Sequence, residues 1–198
     1  MNVRKRSVWV TVGIIVLLLV VLRPIFGFGS LEDYSEYECD VKNFRFSTEI
    51  IIREDGEKIA KVKGNIFRIV EDPLTMRDMA GNRIAFAGDD YHFISQDSHV
   101  IIADGKVMAE MVGRVKLFGE KYDIYDSNGM KLATVEFNFT DTYGEMRDPV
   151  GRLIAEYGSF IFFNDFDVRV SPDCQLDENT VLMIFASYYS DQAFDSTQ

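Results

Sequence analysis

Asp126-Ser127-Asn128-Gly129-Met130-Lys131-Leu132-Ala133-Thr134-Val135-Glu136-Phe137 reads as a turn followed by a strand. The Asp side chain closes a turn, and the Gly supplies the positive φ of a tight hairpin. Beyond the turn, Ala133, Val135, Phe137 and Phe139 fall on one face, with Leu132, Thr134, Glu136 and Asn138 on the other. Tyr122 and Ile124 alternate in the same way on the strand leading in. The frame Gly-x-x-(Ile/Met/Leu)-Ala inside this stretch recurs four more times. The copies are Gly56-Glu57-Lys58-Ile59-Ala60, Gly81-Asn82-Arg83-Ile84-Ala85, Gly105-Lys106-Val107-Met108-Ala109 and Gly151-Arg152-Leu153-Ile154-Ala155. The glycines are 25, 24, 24 and 22 residues apart, and an Asp precedes each one, directly (Asp55, Asp104) or three back (Asp78, Asp126, Asp148). Each copy predicts the tip of a β-hairpin, and the repeat period is one hairpin.

Five hairpins make ten strands. Residues 44–53 lead into the first turn, and 160–170 supply one or two more strands after the last. An aromatic recurs at the far end of the hairpins, as Phe67, Phe93, Phe118 and Tyr143. A meander of this kind has free edges, and closing into a barrel removes them. The stretch Thr180-Val181-Leu182-Met183-Ile184-Phe185-Ala186-Ser187-Tyr188-Tyr189-Ser190 breaks the pattern, being apolar on every side. It predicts a helix ending near Phe194, with Asp177 or Asn179 as N-cap. At roughly 16 residues, or about 24 Å, it is short for a membrane and suits a protein core. The expected fold is mainly β: a closed antiparallel barrel of about 12 strands around a buried C-terminal helix. The Ala of each motif then faces that helix, where nothing larger fits.

Residues 8–22 carry no charge, and the apolar character runs on through Ile25 and Phe26. With its flanks this run is long enough to span a bilayer. A cleaved signal peptide has a similar look, but the run is long for a signal core and no small-x-small site follows. Arg4, Lys5 and Arg6 precede it and only Arg23 closely follows, which places the N-terminus in the cytoplasm and the remainder outside. The expected organisation is a tip and membrane anchor over 1–28, a linker over 29–39 and one domain over 40–198. The anchor accounts for four of the 21 cations, leaving 17 against all 32 acids, a charge of about −15. That charge repels nucleic acid and anionic lipid. No nucleic-acid partner is expected; the membrane partner is reached through the anchor. In an oxidising compartment, Cys39 and Cys174 are a possible disulfide; two unpaired, buried thiols are the alternative.

Five hairpins with Asp-x-x-Gly-x-x-aliphatic-Ala turns, links such as Lys116-Leu117-Phe118-Gly119-Glu120-Lys121-Tyr122-Asp123-Ile124-Tyr125-Asp126, and a closing apolar helix resemble the tubby C-terminal-like superfamily. The likeness is greatest to its LURP-one-related branch and small bacterial members, and covers residues 44–194. It implies a barrel of about twelve strands around a buried C-terminal helix. Tubby proteins bind phosphoinositides through a basic pocket, and scramblase relatives act at membranes with calcium. Here no basic pocket aligns, since Lys58, Lys61, Lys63 and Arg68 are broken up by apolar residues. The Pro-rich leader and cysteine cluster of the scramblases are missing too, and the N-terminal anchor is an addition to the family plan.

Signals for chemistry are weak. Asp90, His92, Asp97 and His99 lie close in sequence, but no Cys/His spacing marks a metal site. The motif aspartates offer one carboxylate per turn, too few for calcium. No nucleophile elbow, Cys–His relay or phosphate-cradling glycine loop occurs. Asn138-Phe139-Thr140 matches a glycosylation sequon inside an expected strand, and a buried hydroxyl in the Tyr188-Tyr189 pair requires a partner. The expectation is a membrane-anchored binding or accessory module, without catalysis or cofactor, for an unknown protein or lipid ligand. The alternative is a lipid-interacting protein of scramblase or phosphoinositide type. Any binding surface is sought where the repeat is least regular, at residues 89–99 and 141–148.

Overall fold

The computed structural model describes residues 31–44, 47–65, 74–89, 98–103, 105–114, 119–159 and 165–195. Its strands are β1 (Ser35–Phe44), β2 (Ser47–Glu54), β3 (Glu57–Asn65), β4 (Leu74–Asp78), β5 (Arg83–Asp89) and β6 (Ser98–Ala103). They continue as β7 (Lys106–Arg114), β8 (Lys121–Tyr125), β9 (Lys131–Phe137), β10 (Tyr143–Arg147), β11 (Leu153–Ser159) and β12 (Phe166–Val170), followed by helix α1 (Glu178–Asp195). Every strand pairs antiparallel with its sequence neighbours, and β1 pairs with β12 to close the barrel.

All five motif glycines have positive φ, from 73 to 90°. Three of the turns share one construction. Gly81, Gly129 and Gly151 each donate their N–H to the carbonyl of the Asp three back, at 2.9–3.0 Å. That Asp then donates its own N–H to the residue after the glycine, at 2.9 Å. This is a type I turn completed by a left-handed residue, a geometry that continues the twist of the flanking strands. The first hairpin turns more tightly, with both Asp55 and Gly56 at positive φ.

The aliphatic-Ala pair that ends each motif has a structural cause that simple alternation does not predict. In all five hairpins the outgoing strand holds one extra residue. Ile52 faces Ala60 while Arg53 faces Lys58, so Ile59 is unpaired. The same slip leaves out Ile84, Met108, Leu132 and Ile154. A bulge of this kind puts two residues opposite one and bends the strand, so two consecutive apolar side chains can turn towards the core. Ile59, Ile84 and Leu132 pack against the core, Ile154 is buried in it, and all five alanines are buried. Opposite those alanines stand Ile52, Met76, Ile101, Ile124 and Met146, each fully buried.

Helix α1 fills the barrel. Residues 180–188 are buried without a break, and the helix runs beside β5, β6, β7 and β12. Asp177 is the N-cap: it accepts from the Thr180 N–H at 3.0 Å and from the Thr180 hydroxyl. The helix starts at the end of the barrel where the hairpin tips lie, because β12 runs towards that end. Its last buried residues reach the opposite, far end. There Phe137 stacks on Tyr188, with Tyr122, Tyr157 and Phe185 around them edge-on to Phe137. Gly144 lies under this cluster, and a Cβ there would meet the Phe137 ring at 2.6 Å.

Two expectations change. Residues 35–39, expected as linker, are the first half of β1. Tyr37, Cys39 and Val41 point inward and are buried, while Glu36 and Glu38 are exposed, so an acidic outer face disguised a strand. Strand twelve thus comes from the N-terminal side of the domain. Phe160-Ile161-Phe162-Phe163, expected as strand, falls outside the described residues, as does the anchor over 1–28. Finally, β9 ends at Phe137; Asn138 is in the following turn, and Phe139, expected inside, is exposed.

Candidate functional site

Asp123, on the outer face of β8, organises the surface over β7–β9. It accepts from Arg114 Nε at 2.9 Å, Lys131 Nζ at 2.6 Å and the Thr134 hydroxyl at 3.2 Å. Burial raises the carboxyl's pKa, but the Lys131 and Arg114 contacts outweigh it and hold Asp123 below the usual carboxylate range. From the same strand, Lys121 pairs with Glu136 of β9 at 2.7 Å. Across β10, Arg147 binds Glu145 at 2.6 Å and donates to the Gly151 carbonyl at 3.0 Å. The Tyr143 hydroxyl lies between Glu156 and Glu145, at 2.8 and 3.0 Å. These pairs follow from strand register, since Glu136 stands opposite both Lys121 and Glu145.

Between the fourth and fifth hairpin tips this surface sinks into a groove of about 370 Å³. Three cations (Lys121, Lys131, Arg147) and three acids (Glu136, Glu145, Asp148) line it, with Thr134 and Pro149. The lining is therefore charge-neutral. It has neither the cation excess a phosphate needs nor the acid excess a divalent cation needs. Its polar groups suit hydrogen bonding to a neutral or zwitterionic ligand. The sequence signal for it, the polar face Lys121, Asp123, Thr134 and Glu136 of two consecutive strands, carries no motif and was not singled out.

The five hairpin tips present a different surface. Among the described residues, Met79, Val107, Met130 and Val150 are four of the five large hydrophobic side chains that stand exposed, and each sits on or next to a different tip. A cation follows each tip glycine within two residues: Lys58, Arg83, Lys106, Lys131 and Arg152. The turn carboxylates are committed to the backbone. Asp78, Asp126 and Asp148 accept from the N–H four residues on, at 2.8 Å in each case. Asp78 and Asp126 have lowered pKa values, through the Asn82 side chain and the Met130 N–H respectively. Asp148 is also lowered, with partial burial opposing and the Arg152 guanidinium and N–H prevailing. Turn closure therefore occupies the oxygens that a cation would have to share.

At the far end, the segment 141–148 proves partly structural. Asp141, at positive φ, accepts a 2.6 Å bond from the Tyr188 hydroxyl, the partner that buried group requires. Burial and the Asp141 carboxylate push the Tyr188 phenol up. Asn138 holds the same link, accepting from the Thr142 and Tyr143 N–H groups and donating to the Thr142 hydroxyl. Glu145, Arg147 and Asp148 belong instead to the groove.

The possible Cys39–Cys174 disulfide is not formed, and both thiols are free. Cys39 is sealed in the barrel wall on β1, opposite Ile52 and Phe166, whereas Cys174 is half-buried before the helix. Burial pushes both thiols up, so neither is an activated nucleophile. Asp90, His92 and Asp97 lie outside the described residues, and His99 stands on β6 opposite Asp89. Among the described residues no His, Cys, Asp and Glu cluster could hold a metal ion, and no helix is long and apolar enough to cross a membrane. Comparison with family models, curated proteins and solved structures gives no match.

Proposed function

We propose that this protein is a membrane-tethered, non-catalytic binding module of the tubby C-terminal-like superfamily, LURP-one-related branch. The helix carries this reading: with α1 filling the barrel, recognition falls to the outer wall and the two ends. The five bulged hairpins, the twelve strands and the central helix support the family placement. The apolar run over 8–22 is the tether, oriented by Arg4, Lys5 and Arg6 so that the barrel is extracytoplasmic. The charge-neutral groove between the fourth and fifth tips is the ligand surface on the wall. The acidity of the domain and the balanced groove both disfavour an anionic ligand of the phosphoinositide kind.

Phe139 is exposed on the far end and suits a topology probe. A Phe139→Cys variant in a Cys174→Ser background should react with a membrane-impermeant maleimide in intact cells. The same chain should stay in the membrane pellet through alkaline extraction. Reaction only after lysis would reverse the topology, and release at alkaline pH would remove the tether.

A further inference from the structure

Tyr37 pairs with Glu54, the last residue before the first hairpin turn. The chain preceding β1 therefore leaves the barrel at the end where the hairpin tips lie. Only residues 29–34 separate β1 from the apolar anchor segment, a reach of about 20 Å even when fully extended. If residues 8–28 hold the membrane, the end of the barrel kept beside it is the end that carries the tips.

That end has the chemistry of an interfacial surface. Met79, Val107, Met130 and Val150 project from tips two to five, 39–79% exposed. Met79, Met130 and Val150 stand in or directly beside the turns and Val107 on the first rungs of its strand, so all four are grouped at one end of the barrel. Arg83, Lys106, Lys131 and Arg152 each lie within four residues of one of them in sequence. Long basic side chains in that position keep their charge among headgroups while their stems cover apolar surface. The first tip, Asp55-Gly56-Glu57, has no large hydrophobic group and lies beside β1, where the tether leaves.

We infer that the hairpin-tip end of the barrel docks on the bilayer that holds the anchor, inserting Met79, Val107, Met130 and Val150 into the headgroup zone. The inference rests on the tether proposed above and names the surface that the tether serves. Net attraction does not drive the contact, since the domain is strongly acidic and the turn carboxylates lie among the tip cations. Apolar insertion drives it, and the tether supplies the local concentration that four small side chains lack. The preferred surface is therefore zwitterionic, and the contact is insensitive to salt. Docking in this pose brings the mouth of the neutral groove, between tips four and five, up to the headgroups.

The test uses the full chain reconstituted in phosphatidylcholine vesicles, in a Cys174→Ser background. An environment-sensitive fluorophore is attached at Met130→Cys or, on the opposite end, at Phe139→Cys. Lipids bearing a nitroxide near the glycerol should quench the label at 130 and leave that at 139 unquenched, equally at low and high salt. Adding Met79→Asp and Val150→Asp, both at exposed turn positions, should abolish the quenching at 130. Three results would overturn the inference. Chain that floats with the vesicles while 130 is unquenched leaves the tether standing and removes the docking. A label at 130 shielded from aqueous iodide but not quenched by lipid means that the tips face protein, such as a second copy. Chain that fails to float refutes the tether itself, and the docking with it.

Discussion

The two ends of the barrel are stabilised by different means. At the tip end the second, fourth and fifth hairpins close themselves: one Asp, one Gly and a few backbone bonds within five residues make a turn that needs nothing from the rest of the chain. Its apolar side chains are left over, facing outward. At the far end, the β9–β10 link is fixed through distant partners, with Asp141 held by Tyr188 of the helix and Phe137 stacked between Gly144 and the Tyr188 ring. Locally closed turns leave side chains free for contact; tertiary closure uses them up. The tip end can therefore serve as an interaction surface, while the far end secures the helix.

Substitutions should separate the two ends by magnitude. Leucine at Ala85, Ala109 and Ala133 forces bulk between strand and helix at three fully buried sites, costing about 1–3 kcal/mol each. The triple variant should lose its cooperative thermal transition by circular dichroism; an unchanged melt would show that the alanines do not confine the helix. Tyr188→Phe leaves the Asp141 carboxylate without its helix donor and should cost about 1.5–3 kcal/mol in urea unfolding.

Asp167, near the far end of β12, acts in the opposite direction. Burial, then Glu36 and Glu38, raise its carboxyl to about 6. The unfolded carboxyl ionises first, so between pH 4 and the folded value of about 6 this group costs the native state stability, and the cost is constant above that. Asp167→Asn should then gain about 1 kcal/mol at pH 7, after discounting for solvent screening of a half-exposed group, and gain nothing at pH 3.5. The smallest effect belongs to the tips. Asp126→Ala should lower the unfolding midpoint slightly above pH 4. The difference should vanish in acid, because a carboxyl whose pKa is depressed in the folded state loses its stabilising effect as pH falls through that pKa.

The tip end was almost wholly legible in the sequence, because everything that builds it is local: Asp, Gly and the period. The helix was legible from its unbroken apolar character. The bulges were hidden, since register is a relation between two strands; in hindsight the aliphatic-Ala doublets mark them. β1 was hidden because Glu36 and Glu38 give its outer face the composition of a linker. The groove was hidden for a further reason. Its members come from β8, β9, β10 and the fifth turn, and only the closed register brings Lys121, Glu136 and Glu145 into one row. The cysteines show the limit of composition: both lie in segments that could meet, but Cys39 is committed to the wall.

Hydrogen exchange of the full chain tests most directly whether the helix is the core of the barrel. Amides of residues 180–188 should exchange last, together with the buried strands and only through global unfolding, while those of 126–130 exchange early. Helix amides exchanging as fast as the tips would mean that α1 leaves the barrel readily. The interior would then be open to ligands, and the case for recognition on the outside would fail.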